Sequence, residues 1–231
     1  MAKLVLVPGP VGNLGDITLR ALEVLKTADF ILAEDTRTSA NLLRHFDINT
    51  PLKPFHQHNE HKVLGAVVRQ IQASVMVALM SDAGTPGISD PGFLLVRRCI
   101  AEGIEVECLP GPTALIPALV VSGLPSDRFF FEGFLPHKKG RQTRLKQICE
   151  LDCTVVMYES PHRLVKLIDE LRLIAGEQRQ AAVVREISKV FEECKRGTLL
   201  ELSEYFHLAG VKGEIVVVLS AAEGRTNKKK A

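Results

Sequence analysis

The stretch LVLVPGPVGNLGDITLRALEVLKTADFILAEDTRTSANLLRHF, residues 4–46, decides the fold class. It opens on four apolar residues, far short of a membrane span and long enough for a buried strand. Pro8, Gly9 and Pro10 end that run, a Gly- and Pro-containing loop continues to Gly15, and Leu19, Leu22 and Leu25 then recur at helical spacing. Asp16 or Thr18 is placed to cap this helix. Residues 30–33 are a second apolar run and residues 38–46 a second helix. Strands alternating with helices in this way make a mainly parallel sheet covered on both faces.

The alternation continues. Strands are expected at 52–55, 75–80 and 105–109, and helices at 63–73, 93–102 and 113–121. The segment SGLPS at 122–126 breaks the last helix, and a new strand-like run begins at Phe129. This predicts one α/β domain over 1–121 and a second over 127–222. The second is expected to hold helices at 141–151 and 162–174 and strands at 154–158, 181–184 and 215–219, in a mixed sheet. Residues 223–231 lose apolar periodicity and are expected to form a mobile basic tail.

A length of 231 residues suits two domains of about 100 residues each. A composition of 46% hydrophobic and 24% charged residues excludes a collagenous or disordered chain. No signal peptide or anchor is read at the start. The five cysteines are an odd number set mostly in apolar stretches, which points to reduced thiols and a cytoplasmic location. Cys149 and Cys153 lack a second pair at zinc-ligand spacing, so no metal is expected. The formal net charge of +2 indicates no polyanion by itself. Its distribution is more informative, because His137, Lys138, Lys139, Arg141, Arg144 and Lys146 form one basic cluster and Arg225, Lys228, Lys229 and Lys230 another.

Open parallel sheets bind ligands beyond the carboxyl ends of their strands. Four loops there stand out: PGPVGNLGD (8–16), SDAGTPGISDPG (81–92), LPGPTAL (109–115) and YESPHR (158–163). The first lacks the Lys-Ser/Thr ending of a phosphate loop and the G-x-G start of a dinucleotide fingerprint. In the second, Gly84 and Gly87 free backbone NH groups beside the Asp82 carboxylate, which suits a small ligand bearing both a carboxylate and an ammonium. The third opens a helix at Thr113, whose NH groups favour an anion or acceptor. Polar segments EDTRTS (34–39), HQHNE (56–60) and REISK (185–189) also follow strands. His56, His58, Asn59 and Glu60 crowd five residues, but His-x-His without a third ligand is a weak zinc pattern.

Taken in order, PGPVGNLGDIT, AEDTRTS, HNE, SDAGTPGISDPG, PGPTAL, SGLPSDRFFFEGFLP, YESPHR, RGT and GEIVVV resemble the ribosomal RNA small subunit methyltransferase I family, itself similar to the tetrapyrrole methylases. The likeness runs over nearly the whole chain. It implies two α/β domains with S-adenosylmethionine held in a cleft between them, a homodimer, and small-subunit rRNA or the assembled small subunit as partner. Carried over by motif, the cofactor-binding residues are Pro10, Ser81, Asp82, Ala83, Gly84 and Ile88, then Thr113 and Ala114, then Tyr158, Glu159, Gly197 and Thr198. The loop SDAGTPGISDPG departs from the Gly-Asp-Pro and Tyr-Gly pattern of the tetrapyrrole enzymes, which argues against a porphyrinoid acceptor.

The resemblance further implies transfer of a methyl group to a cytidine ribose 2'-hydroxyl in the decoding region. Such an oxygen needs a proton acceptor, and Asp82, Glu34, Asp35 and His58 are the candidates. Asp82 is alternatively a cofactor ligand only. Lys138, Lys139, Arg141 and Arg144 are expected to meet RNA phosphates, with Phe129, Phe130 or Phe131 stacking a base if exposed. Two other readings stay open: a methyltransferase of the same fold acting on a tetrapyrrole or other small acceptor, and a catalytically silent RNA-binding module.

Overall fold

The computed structural model describes residues 2–56 and 60–222. His58 and the expected basic tail at 223–231 lie outside the described residues. The chain divides into two compact units, Met1–Thr113 and Ala114–Ala231.

The first unit runs β1 (Lys3–Leu6), a 3-10 turn (Leu14–Asp16), α1 (Leu19–Thr27), β2 (Phe30–Ala33), α2 (Thr36–His45), β3 (Leu52–Pro54), α3 (Glu60–Gln72), β4 (Met76–Met80), α4 (Phe93–Ala101) and β5 (Glu105–Cys108). Its five strands lie in the order β3-β2-β4-β1-β5, every pair parallel. Alternate side chains of β1 face opposite cores, as the two-residue period of a strand requires. Leu4 and Leu6 join Val67, Val68 and Ile71 of α3 and Leu95 and Cys99 of α4 on one side. Val5 and Val7 join Ala21 and Leu25 of α1 and Leu43 of α2 on the other. Thr18 caps α1 by accepting the Ala21 NH at 3.1 Å, and Asp35 caps α2 by accepting the Arg37 NH at 2.8 Å.

The second unit runs α5 (Leu115–Ser122), β6 (Phe129–Phe134), α6 (Arg141–Cys149), β7 (Thr154–Glu159), α7 (Leu164–Ala175), β8 (Gln180–Arg185), β9 (Glu193–Thr198), α8 (Leu199–Leu208) and β10 (Ile215–Leu219). Its sheet is mixed, as expected: in the order β6-β7-β10-β8-β9 only the β6/β7 pair is parallel. Helices α6, α7 and α8 cover one face and α5 the other.

Two features differ from the sequence reading. The unit boundary falls between Thr113 and Ala114 rather than after residue 121. Helix α5 is apolar nearly all round, and it buries Ala118 and Leu119 among Val156, Ala182, Val184, Val216 and Val218 of the second sheet. A break in helical pattern at 122–126 marks the end of an element, and which core claims that element is decided by packing. Strand β9 and helix α8 are additions to the elements expected from periodicity. ECKRGT is an edge strand of half-buried, mostly polar residues, so it shows no apolar run. The box Thr198-x-x-Glu201 is the sequence signal for α8.

Candidate active site

In the first unit, the connections leaving β1 and β2 lead to α1 and α2 on one face, whereas the one leaving β4 leads to α4 on the other. At the carboxyl end of β4 its own loop therefore parts from those of its neighbours β1 and β2 to the opposite face, the geometry that opens a ligand crevice in a parallel sheet.

The glycine loops are fastened together there. Gly9 and Gly84 form an isolated antiparallel bridge, with N–O distances of 2.9 and 3.0 Å. Gly84 holds a left-handed φ of 73°, and a Cβ on it would lie 3.5 Å from Val11 Cγ1. A Cβ on Gly111 would sit 2.7 Å from Pro8 Cβ, so the third loop packs its backbone directly against the first. Thr85 Oγ1 donates to the Pro112 carbonyl at 3.2 Å, and the buried Ser81 hydroxyl donates to the Ala83 carbonyl at 3.2 Å. Pro10 is buried in the same assembly, while Ile88 is exposed on its outer side. Gly92 donates its NH to the buried Glu60 carboxylate at 3.3 Å, tying the far end of the 81–92 loop to α3.

The acidic candidates separate clearly. Asp82 Oδ1 accepts the Asp35 NH at 3.1 Å, and the Glu34 carboxylate lies close to Asp82. Burial raises the Glu34 pKa, the neighbouring Asp82 charge raises it further, and the Asp82 NH and His56 only partly oppose them. A carboxylate so placed is a stronger base than a free one. Asp35 is held differently. The Arg37 side chain at 2.7 and 3.1 Å and the Arg37 NH lower its carboxyl to about 2, so it serves as helix cap and ion-pair partner and is a poor proton acceptor.

In the second unit, the Glu159 side chain is taken up within the protein. Its side chain is fully buried, its Oε1 meets Arg163 Nη2 at 2.6 Å and accepts the Ser160 NH at 2.8 Å, and Arg141 Nη1 stands 3.6 Å from Oε2. It is an internal ion-pair partner. Gly197 and Thr198 also serve their own helix start. Thr198 Oγ1 accepts the Glu201 NH at 3.2 Å, the Thr198 NH donates to Glu201 Oε2 at 2.8 Å, and a Cβ on Gly197 would lie 2.7 Å from that carboxylate. Tyr158 rests edge-on to Phe131, ring centroids 5.0 Å apart. Ala114 begins α5 as its N-cap residue.

The basic cluster also divides. Arg141, expected to meet phosphate, is only 4% exposed, donates from Nε to Glu170 Oε2 at 2.8 Å and from Nη1 to the Pro136 carbonyl at 3.3 Å. A guanidinium so desolvated must be paired within the protein. Arg144 is committed to Glu132 at 2.7 Å. Lys138 and Lys139 are exposed. Phe129, Phe130 and Phe131 are half-buried and packed against the cores of the second unit.

A family model described as Tetrapyrrole (Corrin/Porphyrin) Methylases matches residues 3–203. The chain belongs to the tetrapyrrole methylase family. It is 47% identical over 223 residues to a protein of Synechocystis sp. named ribosomal RNA small subunit methyltransferase I, covering 96% of this chain and 80% of that one. Proteins of the same name match from Thermotoga maritima, at 44% over 223 residues covering 96% and 100%, and from Escherichia coli O157:H7, at 46% over 225 residues covering 94% and 77%. Among solved structures, diphthine synthase superimposes with a TM-score of 0.75 at 15% identity, covering 95% of this chain and 90% of that one. Uroporphyrin-III C-methyltransferase from Thermus thermophilus, complexed with S-adenosyl homocysteine, gives 0.67 at 21% identity, covering 95% and 97%. At these identities the structural likeness establishes the tetrapyrrole methylase fold.

Proposed function

We propose that this protein is an S-adenosylmethionine-dependent methyltransferase that modifies the 2'-hydroxyl of a cytidine ribose in the decoding region of bacterial small-subunit rRNA. The observation that carries the reading is the Glu34/Asp82 carboxylate pair beside the fastened glycine loops, in a chain whose near full-length relatives bear the name ribosomal RNA small subunit methyltransferase I.

The residues of the first unit fit the cofactor. Gly87 has a left-handed φ of 83°, and a Cβ there would meet no heavy atom within 4 Å, so the 81–92 loop keeps open space beside its backbone. Asp82 is exposed next to it and suits an ammonium group, while Ser81, Ala83, Gly84 and Thr113 line the same assembly. The bound sulfonium supplies an already activated methyl group.

What remains for the protein is to hold the acceptor oxygen in line and to take its proton. Orientation contributes several kcal/mol, about 7 to 11 in the most favourable cases. With the cofactor bound, Glu34, whose basicity is raised by burial and by Asp82, would accept the proton of the ribose hydroxyl as that oxygen takes the methyl group. The same reading makes the protein a cytoplasmic homodimer, which light scattering tests. Among the described residues no helix is long and apolar enough to cross a membrane.

The deciding experiment is transfer of labelled methyl from S-adenosylmethionine to small ribosomal subunits lacking this modification, followed by nuclease digestion and mass spectrometry. A single 2'-O-methylcytidine is expected. Label on a base, on protein or absent from RNA overturns the reading and directs attention to small acceptors such as tetrapyrroles.

A further inference from the structure

Strand β6 is an edge strand, and its register shifts between Phe131 and Gly133, with Gly133 at a left-handed φ of 69°. Before the bulge the phenylalanines are half-buried; after it, Phe134 emerges 52% exposed. A bulge re-aims the side chains that follow it. The Phe134 ring is backed by Tyr158, centroids 5.6 Å apart, and Tyr158 is in turn backed by Phe131.

The residues after Phe134 are pinned one by one. Leu135 is buried in the core, the Pro136 carbonyl accepts from Arg141 Nη1, both His137 ring nitrogens lie within 2.9 Å of Arg163 Nη1, and the Lys138 carbonyl accepts the Arg141 NH at 3.2 Å. The buried Arg141 thus fastens the connection from β6 to α6. That fastening leaves Lys138 and Lys139 exposed, and among the described residues neither enters an ion pair. A supported, half-exposed aromatic ring followed four and five residues on by two exposed cations on a tied loop matches a planar base attached to a phosphate chain.

We infer that Phe134 is a stacking platform for an unpaired nucleobase of an RNA strand whose phosphates lie on Lys138 and Lys139. This deepens the rRNA reading, on which it rests for the identity of the strand. A stacked base needs a π surface, so the site distinguishes aromatic from aliphatic replacements. It also favours single strands over duplex, where bases are already stacked on one another.

The test measures binding of a fluorescein-labelled 12-nucleotide single-stranded RNA by anisotropy, for the wild type, Phe134→Ala, Phe134→Leu and Phe134→Trp, with circular dichroism confirming each fold. The dissociation constant is expected to rise about 5- to 100-fold for Ala and Leu, the range contributed by one stacked base, and to stay near wild type for Trp. Affinity for a duplex of equal length is expected to be unchanged by all three. Retained affinity in Phe134→Ala overturns the inference, as does full rescue by Leu, which would mark a generic apolar contact of the protein-docking kind. Absence of oligonucleotide binding by the wild type overturns it too. Ribose methylation that proceeds with Phe134-independent binding sinks this inference alone. Phe134-dependent binding without ribose methylation sinks the proposed reaction alone.

Discussion

The Asp82 carboxylate accepts the Asp35 NH at 3.1 Å, and its charge, with burial, raises the pKa of Glu34, one residue before Asp35. This bond joins the segments that follow β2 and β4 and places the Glu34 and Asp82 carboxylates close together where those loops diverge.

Replacing Glu34 by Gln is expected to lower kcat by roughly 10² to 10⁴ with little change in cofactor affinity, the range for loss of a positioned proton acceptor. Single-turnover methyl transfer and calorimetric titration with S-adenosylmethionine separate the two quantities. An Asp82→Asn variant that keeps both normal removes Asp82 from either role.

The same Glu34→Gln variant is expected to be more stable than wild type at neutral pH. A carboxyl whose folded pKa lies above its ordinary value of 4.5 stabilises the fold below that value and loses the contribution as pH rises through the folded pKa. Urea midpoints at pH 4 and pH 7 check this, the difference between variants being largest at pH 7. A wild-type rate profile whose acidic limb persists unchanged in Glu34→Gln would assign the base elsewhere.

Asp35 has the opposite sign. Its carboxyl is held at about 2 against an ordinary 3.8, so its contribution is complete above pH 3.8 and is lost as pH falls through about 2. Carboxyl NMR shifts of Asp35 across pH 1.5–5 should show this midpoint, and Arg37→Ala should move it upward.

Gly111→Ala brings a methyl group to 2.7 Å from the Pro8 ring and is expected to cost about 1–3 kcal/mol of stability. Weakened cofactor binding should accompany it, because Pro8 and Gly111 set the spacing of two of the three converging loops. Normal affinity in a folded Gly111→Ala protein would show that this packing does not shape the cofactor site.

Arg141 and Lys138 should behave as different kinds of cation. Arg141→Ala strips Glu170 of a buried partner and is expected to cost about 3–5 kcal/mol in chemical denaturation. Lys138→Glu with Lys139→Glu is expected to leave stability within about 0.5 kcal/mol while weakening RNA binding and flattening its salt dependence. The reverse assignment of these effects would restore Arg141 as a phosphate contact.

Periodicity in the sequence determined the alternation of strands and helices, the parallel sheet of the first unit and the mixed sheet of the second, because apolar spacing reports directly which side of an element meets a core. The order of the loop motifs likewise carried the resemblance to the family that the match over residues 3–203 shows. Other properties of the chain arise only when distant segments meet. Helix α5 reads as the end of one domain but joins the second unit because Ala118 and Leu119 find their partners there. Arg141, Arg144, Lys138 and Lys139 are all cations in one short stretch, and only pairing with Glu170 and Glu132, with burial for Arg141, separates the two guanidiniums from the two open lysines. Glu34 and Asp35 are adjacent in sequence, yet Asp35 is held by Arg37 two residues on, a local contact, whereas Glu34 is raised by burial and by the distant Asp82, a neighbour that only tertiary structure supplies.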